Sequence, residues 1–125
     1  MTKEDAITAL DHGADAIWIS NGSHMKSAPS TINVLRYINY HVRNKYPNAE
    51  IFVDSNATRG IDILKCIAYG ANAVFLTQPI LLGLRYNGRE GVKDVMNILN
   101  EELKLAMAQT KCFNLSEVTE ARVIG

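Results

Sequence analysis

The chain has 125 residues, 47% of them hydrophobic, and equal numbers of acidic and basic side chains, 13 of each, which is the makeup of one globular domain. Balanced charge gives no basic field for a phosphate backbone and argues against nucleic acid as a partner. No apolar run reaches the roughly 18 to 20 residues of a membrane span, and the charged start MTKEDAITAL does not read as a signal peptide.

Thr2, with Asp5 three residues on, is an acidic form of the capping box and opens a helix carrying Ala6, Ile7 and Leu10 at helical spacing. Gly13 stops that helix. Ala16 to Ile19 then reads as a short strand apolar enough to be covered on both faces, with Trp18 in the core. A polar loop, Ser20 to Ser30, leads to a helix near Thr31 to Lys45, whose Ile32, Leu35, Ile38 and Val42 form one stripe and which Tyr46-Pro47 ends. Ile51 to Val53 is a second strand, Arg59 to Tyr69 a helix closed by Gly70, and Ala73 to Leu76 a third strand. Pro79 to Leu84 suits a short helix or turn. A long amphipathic helix follows, about Gly88 to Gln109, with Val92, Val95, Leu99, Leu103 and Ala106 inward, and Leu115 to Val118 can add a terminal turn.

Strand followed by helix, repeated, predicts parallel strands joined by crossovers. The chain also repeats itself: GADAIWIS, from Gly13, returns as GANAVFLT, from Gly70. A closed (β/α)₈ barrel needs about 250 residues and eight strands, whereas three strands are legible here. An open parallel sheet of three would leave its edges unpaired. The expected fold is therefore α/β, either an incomplete TIM barrel made of its last three parallel strands with their helices, or a self-contained small α/β layer.

Parallel α/β folds place chemistry at the C-terminal ends of strands. After the first strand, His24 can act as a general base and Lys26 can hold an anionic substrate group, unless both are ordinary residues of a polar loop. After the second, Asp54 needs hydroxyl or backbone donors, either toward a ligand or merely as a cap. Arg59, near a helix start able to cradle an anion, is either a phosphate partner or a surface ion pair, for instance with Asp62. After the third, Thr77 offers one hydroxyl to an anion or serves as a helix cap, and Gln78 brings no charge. His12 fits a helix end and His41 a helix flank. No His, Cys and carboxylate group has metal-site spacing, so no metal is expected. Cys66 and Cys112 read as reduced, buried fillers.

Three stretches carry a resemblance that runs nearly end to end: GADAIWISN, IFVDSNATRGIDILKCIAYGANAVFLTQPILLGL and GREGVKDVMNILNEELKLAMAQTKC. They are similar to the C-terminal part of the FMN-dependent α-hydroxy-acid oxidases, the family of glycolate and lactate oxidases. The resemblance implies that residues 1–125 are the C-terminal half of a (β/α)₈ barrel domain with FMN at its C-terminal mouth. It also implies oxidation of a small 2-hydroxy acid to a 2-oxo acid, with a histidine as base and an arginine clamping the carboxylate.

The family's histidine falls on Gly22 and its arginine on Met25, so His24 and Lys26 can take those roles only through a reshaped loop. The family's ribityl contact is kept as Asp54, and Ser20 of the Ser-Asn pair is a further candidate for the cofactor side. Its two following glycines are Ser55 and Asn56. Of its two basic residues before the helix glycine the first is Thr58 and the second Arg59, and its Gly-Arg phosphate holder is Thr77-Gln78. Replacing two charge-assisted bonds by neutral groups weakens FMN binding by roughly 10² to 10⁴-fold. The resemblance thus points to a truncated or degenerate relative, with catalysis weak or absent alone. Alternatives are a non-catalytic half-barrel, pairing with itself, with a longer paralogue or with the missing N-terminal barrel half, and an active oxidase using His24 and Lys26. The C-terminus carries no Ser-Lys-Leu-type peroxisomal address, which leaves cytoplasm as the default location.

Overall fold

Thr2 and Asp5 close a reciprocal cap at the start of helix α1 (Lys3–Asp11): the Thr2 hydroxyl accepts the Asp5 amide and the Asp5 carboxylate accepts the Thr2 amide. The computed structural model describes residues 1–20, 29–55 and 57–124. At the other end of α1 the His12 ring donates from Nδ1 to the Thr8 carbonyl at 2.8 Å, a second donor to an oxygen that also accepts the His12 amide. Gly13 follows with φ 93° and Gly70, its counterpart in the repeat, has φ 96°. That left-handed conformation suits glycine alone without strain, so the repeated glycine makes the same helix-to-strand turn twice.

Strands β1 (Ala16–Ser20), β2 (Glu50–Ser55) and β3 (Ala73–Leu76) pair in parallel, in that order across the sheet. Helix α2 (Thr31–Lys45) precedes β2, and helix α3 (Gly60–Ala68) joins β2 to β3. The register sets Ile17 against Ile51 and Ile19 against Val53. These four are buried in one cluster with Ala6 and Leu10 of α1 and with Leu35, Ile38 and Val42 of α2. A second cluster joins Leu64 of α3 to Ala106, Cys112 and Val118.

The other face of the sheet differs from expectation. Successive strand residues point to opposite faces, so Trp18, Phe52 and Phe75 lie away from α1 and α2. Trp18 is 50% exposed and Phe75 40% exposed. Their rings stack on each other at 4.3 Å, and Phe52 meets Phe75 edge-on at 6.2 Å. Among the described residues β1 is therefore covered on one face, and Trp18 forms an open aromatic stack where a core position was expected. An apolar run reads the same in sequence whether one face or both are covered.

After β3 the expected short and long helices form one element, α4 (Gln78–Gln109), broken at Asn87 (φ −148°) and Gly88 (φ 53°). The break folds the first segment back so sharply that the backbones of Gly83 and Gly91 touch. Leu99 and Ala106 are buried on the inner stripe, with Val92, Val95 and Leu103 half-buried. A 3₁₀ turn, Leu115–Glu117, fits the expected terminal turn, whereas helix α5 (Glu120–Ile124) was not foreseen. None of the described helices is long and apolar enough to cross a membrane.

One polar side chain ties the foot of this layer together. Arg43, near the end of α2, donates to the Pro47 and Ala49 carbonyls at 2.9 and 2.6 Å, to the Gly70 carbonyl at 3.4 Å and to Asn72 Oδ1 at 3.0 Å. Asn72 Oδ1 also accepts the Ile51 amide at 2.9 Å. The guanidinium fork thus links α2 to the segments that feed β2 and β3. Arg43→Ala is expected to lower stability by about 2 kcal/mol in urea unfolding. Arg43→Lys should recover little of that loss, because an ammonium cannot span the same carbonyls.

Candidate functional site

Ser20 closes β1, Asp54 lies next to the end of β2, and Thr77 follows β3 directly. The register places Ser20 beside Asp54 and Asp54 beside Phe75, so the parallel arrangement delivers three polar side chains to one edge of the uncovered face. Ser20 Oγ donates to Asp54 Oδ2 and Thr77 Oγ1 donates to Asp54 Oδ1, each at 3.5 Å. That is the far limit of a hydrogen bond. A half-buried carboxylate held so loosely keeps acceptor capacity for an incoming hydroxyl. The cap of α3 is Asp62 rather than Asp54. Thr77 stands at the N-cap position of α4, but its side chain caps nothing there and turns to Asp54 instead.

Arg59 is committed elsewhere. Its Nε donates to both carboxylate oxygens of Glu102, at 2.9 and 3.1 Å, and the Gly60 amide donates to Glu102 Oε2 at 2.8 Å. Asp62 is not its ion-pair partner. Asp62 Oδ2 accepts the Thr58 and Arg59 amides at 3.1 and 3.0 Å, capping α3 from within. The junction depends on Gly60, because a methyl at that position would run into the α4 backbone at Glu102 and Leu103. Close approach of α3 to α4 is what brings Glu102 to the helix start. The Gly60 amide, and after it Arg59, hold the Glu102 carboxyl below its usual range. Glu102 in turn holds the Arg59 guanidinium above its own.

Of the sequence candidates, the fold brings Ser20, Asp54 and Thr77 together and directs Arg59 to a different partner. His24 and Lys26 lie outside the described residues, as do Gly22, Met25 and Asn56. Among the described residues no group of three His, Cys, Asp or Glu side chains could hold a metal ion. His41 packs edge-on against Tyr37 and Tyr40 at 4.7 and 5.2 Å, in an open cleft of about 680 Å³ within the helical layer, remote from Asp54. Cys66 and Cys112 are both buried. Glu102 is the residue that sequence reasoning missed. It lies 43 positions from Arg59, and only the glycine opening α3 hinted at a close neighbour.

The model of the FMN-dependent dehydrogenase family matches residues 1–124. Over 123 residues the chain is 45% identical to 2-hydroxyacid oxidase of Dictyostelium discoideum, covering 97% of this chain and 31% of that protein. It is 40% identical over 122 residues to 2-hydroxyacid oxidase 1 of Homo sapiens, covering 96% and 32%. Among solved structures, a mandelate oxidase variant with a monooxide FMN adduct superposes with a TM-score of 0.85 at 32% identity, covering 94% of this chain and 37% of that one. A flavocytochrome b2 variant with sulfite bound gives 0.89 at 28% identity, covering 96% and 32%. The chain therefore spans about a third of the length of these relatives, and its sheet and helices are consistent with a partial (β/α) barrel.

Three carboxylates held low by their partners set an acid limit. Asp5 is held low by the Thr2 amide and hydroxyl, Asp11 by Lys45 and then Tyr46, and Glu102 by Gly60 and Arg59. A carboxylate depressed by folding stabilises the fold above its unfolded value, and that contribution is lost as pH falls through its folded value. The melting temperature should stay level from pH 7 to about 5 and drop below about 4. Glu102→Gln should make that drop shallower, measured by thermal unfolding across the series.

Proposed function

Because the chain belongs to the FMN-dependent dehydrogenase family, we propose that it is the C-terminal share of a flavin-dependent 2-hydroxy-acid oxidase barrel whose catalysis, on its own, is weak or absent. The observation that carries this reading is the uncovered aromatic face, with Trp18 stacked on Phe75 and Asp54 along the same side. In a closed barrel such a face is interior. A site at its edge is complete only when further strands stand opposite. FMN is the cofactor this family membership implies, and bound flavin would supply the acceptor for the electrons of a 2-hydroxy acid.

The described residues fit that cofactor unevenly. Its sugar-alcohol chain suits Ser20, Asp54 and Thr77, which offer donor and acceptor groups at one edge of the sheet. Its phosphate does not suit the start of α3, where Asp62 and Glu102 already take the leading amides and Arg59 is paired.

A second reading rests on the same aromatic face: a non-catalytic half-barrel that acts by pairing, with itself or with a longer paralogue. Covering Trp18 would remove exposed aromatic surface from water, which favours association.

The two readings separate in one preparation of the 125-residue chain, examined for flavin absorbance, mass in solution, oxidase turnover and Trp18 emission. Weak flavin uptake without appreciable turnover supports the first reading. A stable, colourless oligomer with blue-shifted emission from Trp18, the sole tryptophan, supports the second. Efficient oxidation of a 2-hydroxy acid by the chain alone overturns both and returns His24 and Lys26 to the base and carboxylate roles.

A further inference from the structure

At the start of α3, three successive amides and the neighbouring guanidinium are, among the described residues, bonded to carboxylates of this chain. The Thr58 and Arg59 amides go to Asp62, the Gly60 amide goes to Glu102, and the Arg59 guanidinium grips both oxygens of Glu102. At the start of α4, Pro79 has no amide proton to offer and Gln78 is uncharged. The Thr77 hydroxyl is turned to Asp54. Among the described residues, Asp62 and Glu102 at the start of α3 carry more negative charge than Arg59 offsets.

A phosphate monoester brings about two further negative charges at neutral pH. To bind here it would have to displace a carboxylate from Arg59 or lie next to one. A terminal hydroxyl meets no such obstacle, since it can donate to the Asp54 carboxylate, whose contacts to Ser20 and Thr77 are at the limit of bonding distance. We infer that this strand-end site takes a flavin ending in neutral hydroxyls at least as well as one ending in phosphate. The inference rests on the flavin reading proposed above and adds to it the chemical class of the ligand's outer end.

The test is titration of the 125-residue chain with riboflavin and with FMN, each followed by quenching of flavin fluorescence at two salt concentrations. Riboflavin is expected to bind as tightly as FMN or more tightly. FMN affinity should rise with salt as repulsion is screened, while riboflavin affinity stays level. In Glu102→Gln, which removes one negative charge and leaves Arg59 unpaired, the preference should move toward FMN by roughly 10- to 100-fold.

FMN binding tenfold or more tighter than riboflavin in the unmodified chain overturns the inference and leaves the flavin reading standing. FMN affinity that falls with salt does the same, because it marks an attractive phosphate seat. If neither flavin binds at millimolar concentration, the flavin reading fails and the inference fails with it. A Glu102→Gln variant that folds and keeps the original preference removes Glu102 as the cause. The salt series on the unmodified chain decides the matter if that variant does not fold.

Discussion

A parallel sheet carries apolar side chains on both of its faces, and each face needs a cover that excludes water. Here α1 and α2 cover one face, burying Ile17, Ile19, Ile51 and Val53 almost completely. The opposite face holds Trp18, Phe52 and Phe75, whose rings, among the described residues, stack on or meet each other. This asymmetry governs the rest of the structure. It makes the fold a segment of a barrel in geometry, and it leaves the strand-end polar groups at the border of an open aromatic surface.

The α3–α4 junction connects that architecture to the chemistry. Gly60 lets two helices approach until backbone meets side-chain stem, and the approach carries Glu102 to the first amide of α3 and to Arg59. A packing contact thereby decides an electrostatic outcome. The cation that a sequence reading offers to a ligand is neutralised internally, while Asp54, with hydroxyl contacts at the limit of bonding distance, stays available. The two halves of the candidate site thus differ in kind: one is internally satisfied and the other is receptive.

Much of the fold was legible because local rules wrote it. The Thr2–Asp5 cap, the turn glycines Gly13 and Gly70, the Tyr46-Pro47 stop and the stripe of Leu35, Ile38 and Val42 all act within a few residues, and each was found where its pattern lay. The convergence of Ser20, Asp54 and Thr77 followed from parallel topology alone. What escaped was long-range or a matter of facing. An apolar strand does not say which of its faces has a neighbour, so Trp18 was misplaced into the core. Glu102 sits one face among many on a long helix, and nothing local marks it as the partner of Arg59. Thr77 occupies a cap position by every local rule, yet Asp54 across the strand ends draws its hydroxyl away.

Arg43 anchors the opposite end of the strands from Asp54, reaching four acceptors around the entrances to β2 and β3. The molecule is thus founded at its base and furnished at its rim, with few residues serving both ends. Alterations among the furnishings need not shake the foundation. A chain built this way can surrender its chemistry and keep its shape, so that persistence of form is no guide to persistence of work.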